Sequence, residues 1–510
     1  MAKYYDEIPE FLIEWIKKQH MFWVASAPLS PDGHVNLSPK GTADCFHVVN
    51  SHRVWYQDLT GSGVETISHI RENGRMTIMF NAFEGPPKIL RLFGKGTVYE
   101  YGTQEYESLI PPETRKPGSR AAIVMDVYQC QTTCGFAVPI YEFVAHRTQL
   151  LRMADMVESC DRASDASSSP EIDQKGIKAY WAKNNFRSLD GLPGLLTASD
   201  SKVTPIGNFD KESQRPKLHR SSSREGSAQS SGVDLAIGFA LGALVATALL
   251  YILSATAKFV IPMAKYYDEI PESLIEWVRK QHMFWVASAP LADCFHVVNS
   301  RRVWYQDLTG SGVETISHIR ENGRITILFH SFEGPPRIFR LYGIGTVYEY
   351  GTQEYESLIP PETRKPGSRA AIVIDVYQCQ TSCGYAVPIY DFVTHRTQLL
   401  RSLDMRESRD RAVAFTEINP KGLRAYWIQQ NLSSVDGLPG LLTAPDSKVT
   451  RLSVFDKEGP RPKLHRLSSR DRNTLSAALM VGFALGALVA TALPRILSAT
   501  GNFGMFTTRA

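Results

Sequence analysis

The apolar positions near the start of the chain follow a helical period. Ile8, Phe11, Leu12, Trp15 and Ile16 form one stripe, with Glu10, Glu14, Lys17 and Lys18 on the other side. That spacing predicts an amphipathic surface helix. The pattern then shortens to runs rich in β-branched and aromatic residues, at Met21 to Ala27, His34 to Leu37, Arg53 to Leu59, Arg75 to Asn81, Ile89 to Tyr99 and Ala121 to Gln129. Separated by Gly, Pro and Asp, they predict strands of one antiparallel sheet long enough to close into a barrel. Val64 to Glu72 predicts a short helix after the Gly61-Ser62-Gly63 turn, and helical periodicity returns over Tyr141 to Met156 and Gly176 to Asn184.

The whole pattern then starts again. Residues Met1 to His20 recur at Met263 to His282 with three substitutions, Phe11 to Ser273, Ile16 to Val278 and Lys17 to Arg279. A repeat of about 250 residues has the size of a domain, so the chain reads as one unit duplicated. The copies are unequal. After Ala27-Pro28-Leu29 the first copy carries Ser30 to Thr42, whereas the second passes from Leu291 directly to Ala292 and lacks those thirteen residues.

Each copy is followed by a polar basic stretch and an apolar one, giving domains at 1–198 and 263–446, linkers at 199–234 and 447–473, and apolar segments at 235–257 and 474–493. The apolar segments hold 23 and 20 residues without a charge, enough to cross about 30 Å of hydrocarbon as helices. Gly238 and Gly242, and Gly482 and Gly486, are spaced for close helix pairing. The expectation is a membrane-anchored protein, single-pass or two-pass, with the first domain facing the cytoplasm; a buried core helix is the alternative. Both segments have basic N-terminal flanks, and these ask for the same orientation, which two successive crossings cannot satisfy. The Met263 context, identical to that of Met1, suggests two tail-anchored units joined in one reading frame.

Composition narrows the function little. A net charge of +4 spread over 510 residues gives no basic surface dense enough to expect nucleic acid. Seven cysteines, an odd and sparse set, suit a reducing compartment with free thiols. Cys130 and Cys134, like Cys379 and Cys383, lack the Cys-x-x-Cys spacing and the neighbouring histidines of a metal site.

The chemistry is concentrated in two stretches, His34 to Gly41 (HVNLSPKG) and Asp58 to Thr66 (DLTGSGVET). Each is a strand that runs into a loop of hydroxyl and glycine residues. Glycines let backbone N–H groups approach an anion, hydroxyls donate to it, Lys40 supplies charge, and a following helix adds its dipole. A capped turn is the plain alternative for the second loop.

The succession FWVASAPLSPDGHVNLSPKG, VWYQDLTGSGVETISHIRENGRMTIMF, GPPKILRLFGKGTVYEYG and CGFAVPIYEF resembles the fungal branch of the pyridoxamine 5'-phosphate oxidase-like proteins, over Ile8 to Asn185 and again over Ile270 to Leu441. The resemblance implies an α+β fold of two tandem FMN-binding split β-barrels with flanking helices, each followed by a C-terminal transmembrane helix. It further implies FMN at a dimer interface, in a homodimer or an intramolecular pseudo-dimer. Carried over by position, Ser38 and Lys40 would reach the phosphate or the ring edge, Thr60, Ser62 and Thr66 would surround the phosphate, and Arg91 would be a further contact or a surface ion pair.

The chain departs from the better known oxidases of that family at two places. Glu65-Thr66 stands where they carry Arg-Lys, and Ala137 lies near their substrate-facing arginine, so oxidation of pyridoxamine phosphate itself is doubtful. An FMN-dependent oxidoreductase acting on an unidentified small molecule is the leading expectation; a non-catalytic flavin- or haem-binding module at a membrane is the rival. Copy 2 keeps Thr309, Ser311 and Thr315 but has no counterpart of Lys40, and is expected to bind FMN poorly or not at all.

Overall fold

The computed structural model describes residues 2–166, 173–197, 264–286, 294–414 and 417–443. Copy 1 is built on strands β1 (Lys3–Tyr5), β2 (Phe22–Ser26), β3 (Asn36–Lys40), β4 (Phe46–Asn50), β5 (Arg53–Leu59), β6 (Arg75–Asn81), β7 (Ile89–Glu100) and β8 (Ser119–Thr133), followed by β9 (Ile140–Ala145). The first eight form an antiparallel sheet in the order β3-β2-β6-β7-β8-β5-β4, with β1 on β8. Helices α1 (Glu10–Ile16), α2 (Glu65–Asn73), α3 (Gln104–Leu109), α4 (Gln149–Ala166) and α5 (Ile177–Asn184) surround it.

Copy 2 repeats this plan with β10 (Lys265–Tyr267), β11 (Phe295–Asn299), β12 (Arg302–Leu308), β13 (Arg324–His330), β14 (Ile338–Glu349), β15 (Ser368–Ser382) and β16 (Ile389–Thr394). Among the described residues its sheet has six strands, in the order β11-β12-β15-β14-β13 with β10 on β15. None of them pairs as β3 does, because the thirteen residues that form β3 are missing from copy 2. Among the described residues, the counterpart of β2 pairs Trp285 with Leu328 through an isolated bridge.

The strands alternate between two apolar environments. Phe22 and Val24 of β2, with Met76, Ile78 and Phe80 of β6, enter the core of copy 1, where they meet Leu12 and Ile16 of α1. Trp23, Leu37 and Met79 face the other way, onto Trp285, Leu328 and Phe332 of copy 2. Both faces of these strands are therefore buried, and that is why FWV and MTIMF show no polar alternation. Trp23 and Trp285 stack with centroids 5.2 Å apart. At the edge of this shared core β9 pairs antiparallel with β16. The Arg147 guanidinium donates to the carbonyls of Val387, Phe332 and Gly334, and Arg396 donates to those of Val138, Ala82 and Gly85. The two halves of the chain thus pack as mutual counterparts.

Several expectations are corrected. The fold is mostly β rather than α+β, since the helices are short and peripheral while the sheets carry the cores. Among the described residues no helix is long and apolar enough to cross a membrane, and the apolar segments 235–257 and 474–493 lie outside those residues. The expected transmembrane helices therefore have no support. The stretch expected as helix from Tyr141 is strand as far as Ala145, and α4 begins only at Gln149. Its partner is β16 of the other copy, a long-range pairing that local periodicity cannot report.

Candidate functional site

The end of β3, the β5–α2 loop and the start of α2 line a cleft enclosing about 870 Å³, part of it open to solvent. The opposite wall comes from copy 2, through Ile338 and Arg340 of β14, Gln380 and Ser382 of β15, and Cys383 to Ala386. Ser38, Lys40, Thr60, Ser62 and Thr66 all line it, so these five expected residues are brought together. Arg91 does not line this cleft; its counterpart in copy 2, Arg340, does.

Charge is organised around Asp58, which is fully buried on β5. Lys40 Nζ donates to its Oδ1 at 2.6 Å, and Arg120 Nε donates to its Oδ2 at 2.9 Å. Burial pushes the Asp58 carboxyl up, but the two cations outweigh it and hold the group below its ordinary value. Arg120 is buried, and its Nη1 has no partner among the described residues. A buried guanidinium N–H without an acceptor costs about 1–3 kcal/mol or more, so an acceptor arriving in the cleft would recover that energy. Arg340 Nη2 donates to Ser38 Oγ, and its Nε donates to the Leu37 carbonyl at 2.9 Å. Three cations thus line one cleft, and a carboxylate lines it with them. That carboxylate, Glu65, folds back directly against Gly63.

The hydroxyls differ in what they can offer. Thr60 Oγ1 donates its proton to the Gly118 carbonyl and accepts from Trp181 Nε1 at 2.8 Å, which commits it to holding α5 against the loop. Thr66 accepts from Asn36 Nδ2, so its proton remains available at the first turn of α2. Asn36 also accepts from Ser38 Oγ and donates to Ser26 Oγ, which bonds His69 Nδ1. Behind this row Asp190 takes the His34 ring at 2.5 Å, with His69 Nε2 at 3.6 Å. Burial raises the Asp190 carboxyl, but the hydrogen bonds from His34, with the His69 ring close by, prevail and hold it well below the carboxylate range. A continuous polar chain therefore ties the 188–194 turn to Thr66 and Ser38.

The corresponding loop of copy 2 is arranged differently. Thr309 repeats the bonds of Thr60, to Gly367 and from Trp427. With no lysine present, Asp307 pairs with Arg369 alone among the described residues, and Arg369 Nη1 donates to the Gly312 carbonyl at 2.8 Å. Asn431 Nδ2 also donates to the carbonyls of Gly310 and Gly312. The arginine that is open in copy 1 is closed by its own loop in copy 2. Ser311 and Thr315 are half-buried beside it.

Comparison with known proteins decides the family. Over 217 residues, 40% of this chain and 81% of the relative, the sequence is 36% identical to the pyridoxamine 5'-phosphate oxidase family protein ustO of Aspergillus flavus. The chain belongs to the pyridoxamine 5'-phosphate oxidase family. No family model matches it. Solved structures that align include HupZ of Group A Streptococcus, at 21% identity over 24% of this chain and 97% of that one with a TM-score of 0.21. A Clostridium acetobutylicum protein related to general stress protein 26 aligns at 14% identity over 23% and 84%, with a TM-score of 0.17. Membership of the pyridoxamine 5'-phosphate oxidase family rests on the Aspergillus relative, and the residues of the cleft rest on their own geometry.

Sequence reasoning missed Asp58, Arg120, Arg340 and Gln380. Asp58 and Arg120 are far apart in sequence but adjacent across the β5–β8 pairing, and each recurs in copy 2. That recurrence of a charged pair inside two apolar strands was the available signal. Arg340 could be found only by knowing that copy 2 forms a wall.

Proposed function

We propose that the chain is an FMN-dependent oxidoreductase of the pyridoxamine 5'-phosphate oxidase-like type, acting on a small-molecule substrate and carrying one cofactor in the cleft of copy 1. The observation that carries this reading is the unpartnered Nη1 of buried Arg120, a residue that lines the same cleft as Lys40 and the Gly61 to Gly63 loop. Such a donor set fits a phosphate monoester: Arg120 and Lys40 supply charge, and Ser62 and the Thr66 hydroxyl supply neutral donors near the start of α2. When bound, the flavin supplies two-electron redox chemistry, while the chain binds and orients it. Arg340 and Gln380 would stand beside the part of the cofactor that extends toward copy 2. Copy 2 acts as a wall for this site and not as a second site, because Arg369 is satisfied by Gly312 and no lysine reaches Asp307.

The visible spectrum of the purified full chain tests the cofactor, and anaerobic addition of NADPH tests the reaction. A flavin band that bleaches on reduction supports the proposal. A bound flavin that no nicotinamide reduces would favour a non-catalytic module, and a haem band would overturn the cofactor assignment.

A further inference from the structure

Behind the cleft stand four polar side chains, Asn36, Ser26, Thr66 and His69, each 5% exposed or less. The bonds among them run in one direction. Asn36 Nδ2 donates to Thr66 Oγ1 at 2.9 Å and to Ser26 Oγ at 3.3 Å, and its Oδ1 accepts from Ser38 Oγ at 3.0 Å. Ser26 Oγ lies 3.1 Å from His69 Nδ1, and the far nitrogen of that ring, Nε2, faces Asp190 Oδ2 at 3.6 Å.

A carboxylate fixes that direction. The Asp190 carboxyl lies well below the carboxylate range, so the group can only accept, and its charge draws a ring proton of His69 to Nε2. A neutral imidazole carries one such proton, so Nδ1 is bare and takes the Ser26 hydroxyl proton. The Ser26 oxygen, with its own proton spent, is then an acceptor and needs the NH2 end of Asn36. The opposite setting of that amide would turn its carbonyl against the Ser26 lone pairs and would draw the Thr66 proton onto Oδ1, away from the cleft. In the observed setting Thr66 receives a bond from Asn36, and its proton is left for an acceptor in the cleft that Thr66 lines. Ser38 is set the other way: it gives its proton to Asn36 and accepts from Arg340 Nη2 at 3.3 Å.

From this network we infer that Asn36 is a positioning residue, which makes Thr66 a donor to the phosphate of the cofactor, its amide being oriented by the chain that ends on Asp190. The inference rests on the FMN reading. It goes beyond it by assigning discrimination between FMN and riboflavin to a residue that does not itself line the cleft. Copy 2 keeps the terminal pair, with His318 Nε2 3.2 Å from Asp436 Oδ2, but lacks the thirteen residues that carry the amide. The link is thus confined to copy 1.

The test is titration of the flavin-free full chain with FMN and, separately, with riboflavin, which has the same ring system and no phosphate, each followed by flavin fluorescence. With Asn36→Ala, FMN affinity is expected to fall by about tenfold and riboflavin affinity to stay within about twofold of the wild type. Thr66→Val should lose a similar factor, and the double variant little more than either, since both changes remove the same contact. Asp190→Asn should weaken FMN alone by about two- to fivefold, and it carries the test should Asn36→Ala fold poorly. The inference is overturned if either Asn36→Ala or Asp190→Asn binds FMN as the wild type does, or if FMN and riboflavin weaken together. It is equally overturned if the losses from Asn36→Ala and Thr66→Val multiply. A wild type that binds both flavins equally would overturn the phosphate reading itself; a preference for FMN that survives Asn36→Ala overturns this inference alone.

Discussion

Lys40→Met separates the part the cleft plays in folding from the anion binding proposed for it, because copy 2 already displays the lysine-free state. In copy 1 the substitution removes a 2.6 Å charge-assisted bond to a fully buried carboxylate. Breaking a buried ion pair by deleting one partner ordinarily costs about 3–5 kcal/mol. Here Arg120 remains on the other oxygen, and Asp307 with Arg369 forms a folded pair without any lysine. The expected cost is therefore about 1.5–3 kcal/mol, a single net hydrogen bond to a charged group. It should depend on pH with a definite sign. Lys40 and Arg120 depress the Asp58 carboxyl, so the stability it contributes is present above its unfolded value and is lost as pH falls through the folded one. Without Lys40 the folded value rises, and acid unfolding of the variant should begin at higher pH than in the wild type. FMN affinity should fall by roughly tenfold to a hundredfold, from loss of one charged contact of about 1.5–3 kcal/mol. Urea unfolding at several pH values, with flavin fluorescence titration, measures both effects. A stability loss of about 4 kcal/mol or more, the full cost of a broken buried pair, would refute the reasoning. Unchanged FMN affinity would refute it equally.

Three further outcomes rest on particular contacts. Glu65→Gln removes the carboxylate that leans on Gly63; it should tighten FMN binding by about two- to fivefold, an effect of ~0.5–1 kcal/mol, read in the same titration. Arg147→Ala strips donors from three carbonyls of copy 2; a loss of roughly 2–4 kcal/mol is expected by urea unfolding, since buried acceptors are left unpaired. Gly135→Ala should destabilise, because its φ is +59° and a Cβ would meet the Lys88 backbone nitrogen at 2.5 Å, whereas Gly61→Ala has open space and should leave the melting temperature unchanged while weakening FMN.

Much of the copy 1 sheet was legible because its strands carry β-branched and aromatic runs between turn residues, and the five loop residues from Ser38 to Thr66 were legible because their chemistry is compressed into two short stretches. The wall of the cleft was not legible. Arg91 and Arg340 occupy equivalent positions, and only the packing of one copy on the other, with the missing β3 in the second, decides that Arg340 faces the loop of copy 1. The doubly apolar faces of β2 and β6 were a readable hint of that packing, since a strand with one solvent face would have alternated. β9 was read as helix because its partner lies in the other copy, about 250 residues away in a chain where local pattern sees only neighbours. Thr60 was read as a phosphate ligand because a hydroxyl in a glycine loop invites that role; its proton is already taken by Gly118.

The two copies differ at one buried arginine: Arg120 Nη1 has no partner among the described residues, whereas Arg369 Nη1 donates to the Gly312 carbonyl, and one anion-binding cleft per chain is proposed on that difference. Titration of the flavin-free full chain with FMN, counting cofactors bound per chain for the wild type and for Arg120→Met, tests it most directly. One FMN per wild-type chain is expected, and loss of that site in the variant. Two FMN per chain, or one that survives Arg120→Met unchanged, would contradict it.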